Sequence, residues 1–302
     1  MARILSSRDK IRNELIVVFG EFCGTFMFLL MAFIGTQAAI ENNSPGNPDA
    51  PLFPFSLMYI AASFGTAVAV NVWVFYRITG GMFNPAVTLG LVLVGAVSPL
   101  RGILIFPTQL VAGIAAAAVT DALLPGPLLV ANKLSSGTSI SRGLFIEMFL
   151  TAQLVITVYF LAVEKHRATF LAPLGIGLAV FIAHICGTNY TGTSINPARS
   201  FGPAVVTDFT GYQWIYWLGP FLGSFLAFVV YTILKWMEYH TANPGQDDDE
   251  NKVKKSPAGL ALPTNDRQYG NGSENAKNHS PSGPRDSGIA HTTSGPRGFA
   301  AV

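Results

Sequence analysis

Two short stretches of this sequence repeat each other, and neither fits an ordinary membrane span. They are Gly81-Met82-Phe83-Asn84-Pro85-Ala86-Val87-Thr88-Leu89-Gly90 and Gly192-Thr193-Ser194-Ile195-Asn196-Pro197-Ala198-Arg199-Ser200-Phe201-Gly202. Each puts Asn-Pro-Ala at the head of a short apolar run. Asn suits a helix N-cap, and Pro suits the first helical turn, where no N–H is missed. The pattern predicts a short helix beginning at Asn84-Pro85-Ala86 and another at Asn196-Pro197-Ala198. Neither run reaches the roughly 20 apolar residues that cross a bilayer. Two capped surface helices would be the plainer reading, but both copies follow long apolar spans in matching places.

Those spans cover residues 15–40, 55–76, 103–123, 144–163, 171–186 and 214–234. Half of the 302 residues are hydrophobic, and the few charged ones gather at the two ends. That is the composition of a membrane protein. The expected fold is an all-α polytopic membrane protein with six transmembrane helices and two re-entrant half-helices. A net charge of +2 gives no reason to expect a nucleic-acid partner. Cys23 and Cys186 sit inside apolar runs, argue against a disulfide framework and match no metal-ligand spacing. No nucleophile, base and oxyanion arrangement is apparent. The expectation is therefore no enzyme, no cofactor and no metal.

Three regions follow from composition. Residues 1–13 are short, polar and basic, and the apolar run after them is too long for a signal-peptide core. Residues 14–237 form the membrane unit, with repeats at 14–123 and 142–237. Residues 238–302 are rich in Asn, Gly, Ser, Pro, Asp and Lys; such a tail cannot bury a core and is expected to be disordered. Within it, Lys254-Lys255-Ser256-Pro257 is a weak phosphosite pattern. Arg3, Arg8, Lys10, Arg12, Arg77, Arg101, Lys165, Arg167 and Lys235 fall on one side of the spans, against Lys133 and Arg142 on the other. The positive-inside rule then makes both termini cytoplasmic. Asn42 becomes a candidate external glycosylation acceptor in Asn42-Asn43-Ser44. A second sequon, Asn189-Tyr190-Thr191, is expected to lie within the protein.

The halves echo each other beyond Asn-Pro-Ala. Glu21 and Thr25 in the first correspond to Glu147 and Thr151 in the second. Each half has three full spans. An odd number forces the two halves into opposite topology, an inverted repeat. The half-helices then enter from opposite sides, and their Asn-Pro-Ala ends meet near the midplane. Half-helix N-termini carry partial positive charge and unpaired N–H donors. Irregular backbone at that depth must be buried in protein or line a water-filled cavity. A polar path through the middle is the consequence.

On these residues the chain resembles the aquaporin family, the major intrinsic proteins, over residues 14–237. The resemblance implies one pore per subunit, usually in a homotetramer in the lipid bilayer, with water as permeant. It also carries over a narrow outer filter. Phe64 lies 20 residues before Asn84, His184 lies 12 before Asn196, Thr193 three before it and Arg199 three after. These match the filter positions of water-selective members. Ser200 stands where glycerol-conducting members usually have Asp, and Tyr216-Trp217 is similar to the aromatic pair of water channels. Thr193 replaces a Cys often found there, which puts mercurial block in doubt. By the same resemblance, Glu21 and Glu147 are buried acceptors for the N–H groups of the re-entrant loops.

Each residue has a blander or a rival reading. Phe64 could be core or lipid-facing, and His184 a satisfied core histidine. Glu21 and Glu147 could relay protons, as intramembrane acids do. Arg199 is harder to dismiss, because an intramembrane Arg is costly and tends to be functional. The expected function is passive water conduction with exclusion of protons and ions, in the plasma membrane. The rivals are a facilitator for hydrogen peroxide or glycerol, an ion-coupled transporter, and a junctional protein with a vestigial pore.

Overall fold

Proline and serine decide where many of the helices start. Pro54, Pro85, Pro99 and Pro197 each open a helix at the position where a missing N–H costs nothing. Side-chain oxygens cap two N-termini, that of Ser98 on the helix Pro99 opens and that of Ser139 on a further one. The computed structural model describes residues 7–43 and 51–243. Among them it holds eight α-helices and no strand. They are α1 (Ser7–Asn43), α2 (Pro54–Phe75), α3 (Pro85–Leu93), α4 (Pro99–Leu123), α5 (Ile140–Val158), α6 (Ala172–Thr191), α7 (Pro197–Val206) and α8 (Ile215–Trp236). A π turn, Tyr159–Val163, extends α5, and Gly192 at φ 75° ends α6 in the left-handed cap that glycine favours.

Six of these helices are long and apolar enough to cross a membrane. The other two, α3 and α7, have 9 and 10 residues. At about 1.5 Å per residue each spans roughly half of a hydrocarbon core. Large apolar side chains such as Phe19, Ile103, Phe145 and Phe225 lie exposed on the outside of the chain. A surface so apolar suits hydrocarbon or further protein, not water. The molecule is an integral, multi-pass membrane protein.

The helix pairing repeats between halves. α1 packs on α4, α5 packs on α8, and α2 packs on α6 across the middle. Each half-helix also packs on the last helix of the other half: α3 on α8, and α7 on α4. Small side chains allow this. The Ser224 hydroxyl on α8 donates to the Ala86 carbonyl at 2.7 Å. On α4, a Cβ at Gly113 would sit 2.5 Å from the Ala198 carbonyl oxygen, so only glycine lets α7 this close.

The edges depart from expectation in a few places. α1 starts inside the polar segment 1–13 and continues to Asn43. Tyr239–Thr241, just beyond α8, forms a 3-10 turn. The tail from residue 244 on, with Lys254, Lys255, Ser256 and Pro257, lies outside the described residues, as does Ser44 of the first sequon.

Candidate functional site

Two buried carboxylates shape the two loops that carry Asn-Pro-Ala. Glu21 on α1 accepts from the backbone N–H groups of Met82 at 3.1 Å and Phe83 at 2.9 Å. Glu147 on α5 accepts from those of Ser194 at 2.8 Å and Ile195 at 2.7 Å. Phe83 and Ile195 have φ of 49° and 45°, left-handed values that bulky and β-branched residues rarely adopt. Paired backbone donors on one carboxylate hold that conformation, which costs roughly 1–3 kcal/mol by itself. Each carboxylate gains a further donor, Gln109 Nε2 on Glu21 at 2.9 Å and Thr191 Oγ1 on Glu147 at 2.6 Å. Both are fully buried, and neither lines the cavities described below.

Bending at Phe83 and Ile195 delivers the two asparagines. Asn84 and Asn196 are extended N-caps, at φ −154° and −153°. Asn84 Oδ1 accepts from Ala86 N at 2.8 Å, and Asn196 Oδ1 from Ala198 N at 2.9 Å. The two amides also reach across. Asn84 Nδ2 donates to the Ile195 carbonyl at 2.8 Å, and Asn196 Nδ2 to the Phe83 carbonyl at 2.9 Å. The half-helices therefore meet N-terminus to N-terminus. A side-chain amide has two N–H donors. One on each asparagine is committed to the opposite loop, so one remains for a molecule in the cavity that both residues line.

That inner cavity passes Asn84 and Asn196 and ends at Phe64, His184 and Arg199. A second, outer cavity begins at Arg199, Val130 and Gly192 and runs out past Lys133 and Arg142. Arg199 lines both. Between the cavities, Phe64 and His184 stack with ring centroids 4.0 Å apart and planes within 19°. No molecule fits between faces in such contact. The Arg199 guanidinium lies 5.0 Å over the Phe64 ring and 5.7 Å over Phe33. Its Nη1 donates to the Val130 carbonyl at 2.8 Å, and its Nη2 to that of Gly192 at 3.4 Å. His184 Nδ1 bonds the Val180 carbonyl at 2.9 Å. His184 Nε2 and Arg199 Nε have no hydrogen-bond partner among the described residues.

The side chains of Phe64, His184 and Arg199 thus lie together, and the hydroxyl of Thr193 does not join them. The Thr193 hydroxyl faces α6, 3.2 Å from Thr188 Oγ1 and 3.4 Å from the Ala183 carbonyl. Tyr216 is buried and donates to the Thr191 carbonyl at 2.9 Å; Trp217 packs on Phe201. Asn42 is exposed on the last turn of α1, with Nδ2 donating to the Ala38 carbonyl. Asn189, expected inside the protein, is instead exposed at the end of α6 and lines the outer cavity.

The model of one protein family, Major intrinsic protein, matches residues 9–231. The chain belongs to that family. Among its relatives is Aquaporin-1 of Gibberella zeae, 72% identical over 242 residues, covering 80% of this chain and 76% of that protein. Aquaporin-7 of Botryotinia fuckeliana is 53% identical over 252 residues, covering 81% of this chain. This chain spans only 55% of that second relative's length. In three dimensions it is similar to the aquaglyceroporin from Plasmodium falciparum, at a TM-score of 0.58 and 19% identity, over 72% of this chain and 95% of that one. That likeness speaks for the fold.

This major intrinsic protein builds its constriction with groups that the sequence did not disclose. Phe33, on α1, lies beneath Arg199 but looks like any apolar residue of a span. Val130 and Gly192 contribute through backbone carbonyls, which carry no residue signature. Gly192 had one usable signal, a glycine just past the end of an apolar helix.

Proposed function

We propose that this protein is a passive water channel with both termini in the cytoplasm of a plasma-membrane homotetramer. The observation that carries the reading is the cavity that runs from Asn84 and Asn196 to Arg199, with one free amide N–H on each asparagine. A water at the centre accepts from these donors with its oxygen. Its protons then point away along the file, so it cannot accept a proton from one neighbour and pass it to the other. Both half-helix N-termini face that centre, and their partial positive charge opposes a cation or excess proton. Apolar walls such as Val68, Val72 and Leu154 keep other contacts weak.

At the outer end, Phe64 and His184 form the filter with Arg199. Water passes along the edge of the stacked rings, where His184 Nε2 and Arg199 Nε replace bonds lost from its hydration shell. Solutes larger than water need the stack to open.

The test uses purified protein in liposomes, with stopped-flow osmotic shrinkage, glycerol uptake and proton flux measured together. Fast shrinkage with slow glycerol entry and background proton flux is expected. Glycerol entry near the rate of water entry would overturn the water-selective reading, and hydrogen peroxide uptake tests the nearest rival. Arg199→Val should keep water flux and admit a cation or proton leak. Background leak in a correctly inserted variant would place the whole barrier at the asparagines.

A further inference from the structure

The filter arginine is only as well placed as the carbonyls that hold it. One of these, Val130, lies in the segment between α4 and α5. That segment is tied at its start by Gln37, whose side chain bonds Pro127 O at 2.9 Å and Leu129 N at 2.8 Å. It is tied again further on, where Leu134 N donates to Tyr212 Oη at 3.2 Å and Ser135 N to Tyr190 O at 3.0 Å. Between these ties two side chains are buried, the apolar Val130 and the polar Asn132. Asn132 is 3% exposed and lines neither cavity, so it touches no permeant.

Its amide joins three pieces of chain. Asn132 Nδ2 donates to the Thr191 carbonyl at 3.3 Å. A carbonyl can only accept, so this contact fixes which end of the amide faces it. Oδ1 then faces Ser200 Oγ, which donates to it at 2.7 Å. Thr191 immediately precedes Gly192, and Ser200 immediately follows Arg199. Asn132 thus ties the segment holding the Val130 carbonyl to the residue beside the other acceptor and to the residue beside the arginine. Ser200 Oγ also lies 2.5 Å from Ser194 Oγ, whose backbone N–H is held by Glu147. The Gly192 Cα hydrogens face this amide, since a Cβ there would sit 2.9 Å from Asn132 Nδ2.

We infer that Asn132 is a positioning residue for the filter: its bonds to Ser200 and Thr191 hold the Val130 and Gly192 carbonyls where they orient Arg199 against Phe64. This rests on the filter reading given above. With the clamp cut, the Val130 carbonyl is free to move and Arg199 is no longer held at one distance from the ring. The opening then widens without any change in the residues that line it.

The test compares Asn132→Ala, Ser200→Ala and the double variant in liposomes, with glycerol and water permeability normalised to assembled protein. Asp208→Ala, at an exposed residue that lines neither cavity, is the control. Asn132→Ala should raise the glycerol-to-water ratio by about fivefold, the equivalent of one net hydrogen bond. Ser200→Ala should raise it in the same direction, and the double variant no further than Asn132→Ala, because one clamp is being cut twice. A residue that only supports folding would lower the melting temperature and leave the ratio of assembled protein at the parent value. That outcome overturns the inference while leaving a selective parent intact. A parent that is itself unselective would instead defeat the filter reading. If Asn132→Ala does not assemble, Ser200→Ala decides alone: an unchanged ratio overturns the inference.

Discussion

Asn84 and Asn196 each donate to the carbonyl next to the other, so the two half-helices are joined by a reciprocal pair of hydrogen bonds at their tips. Both bonds end on a residue in the left-handed conformation, Ile195 or Phe83. The asparagine does two jobs through the two ends of one amide: Oδ1 caps its own helix and Nδ2 locks the opposite loop. Asn84→Ala loses both. The lost cap costs about 0.5–2 kcal/mol, and a buried Ile195 carbonyl left without a donor costs a further 1–3 kcal/mol or so. A lower melting temperature and a lower water flux per assembled molecule are expected. Adding Asn196→Ala should cost less than Asn196→Ala does alone in the parent, because both bonds close the same junction. Fully additive melting shifts would contradict a shared junction.

Glu147 separates a structural acid from a proton carrier. Both its oxygens accept from loop N–H groups. Glu147→Gln keeps the shape but turns one acceptor into a donor, which faces a backbone N–H. One buried N–H is then unsatisfied, at about 1–3 kcal/mol. Reduced thermal stability is expected, with proton flux at the parent background. A variant as stable as the parent whose proton flux differs would favour the relay reading. Glu21→Gln should behave alike, since Met82 and Phe83 stand where Ser194 and Ile195 do.

The sequence carried the helices and both half-helices because length, apolar runs and Asn-Pro starts are local signals. Phe64, His184 and Arg199 were picked out by the resemblance to a known family, carried over by their spacing from Asn84 and Asn196, and the structure brings these three side chains together. What was hidden is of two kinds. Backbone groups have no identity in a sequence, so the Val130 and Gly192 carbonyls could not be read. Side-chain direction is the other kind. Thr193 has the expected spacing, yet its hydroxyl is satisfied on α6. The left-handed turns at Phe83 and Ile195 were hidden as well, because no glycine marks them and distant carboxylates hold them.

Glu164 gives a pH-dependent prediction outside the spans. It follows the π turn at the end of α5 and accepts hydrogen bonds from Tyr231 Oη and from Lys235 Nζ, the latter at 3.0 Å. Partial burial pushes its carboxyl up, but the bonds from Tyr231 and Lys235 and the lysine charge outweigh this and hold it below the ordinary glutamate range. A lowered folded value means that Glu164 stabilises the protein above its unfolded value and loses this effect as pH falls through the folded one. The pair is partly exposed, so the contribution is small, about 0–1 kcal/mol. Glu164→Gln should melt slightly below the parent at neutral pH, and the two should converge on acidification. A gap that stays constant down to acid pH would show that the carboxylate charge is not what Tyr231 and Lys235 recognise.

The stack of Phe64 on His184 leads to the sharpest test of selectivity. The rings come from different halves, on α2 and α6, and meet with Arg199 over one of them. Removing both rings leaves Arg199 its Val130 and Gly192 acceptors and opens the space that the rings fill. Phe64→Ala with His184→Ala should therefore pass glycerol several-fold faster than the parent. Truncating a buried Phe costs about 3–5 kcal/mol, and Phe64 also touches Phe28 and Phe33 edge-on. Some loss of assembled protein is expected, and uptake must be normalised to the assembled fraction. The single His184→Ala leaves the Phe64 contacts with α1 in place and should show a smaller rise of the same sign. A well-assembled double variant that still excludes glycerol would mean that the stacked rings are packing for α2 and α6, and that the limit on solute size lies elsewhere along the cavity.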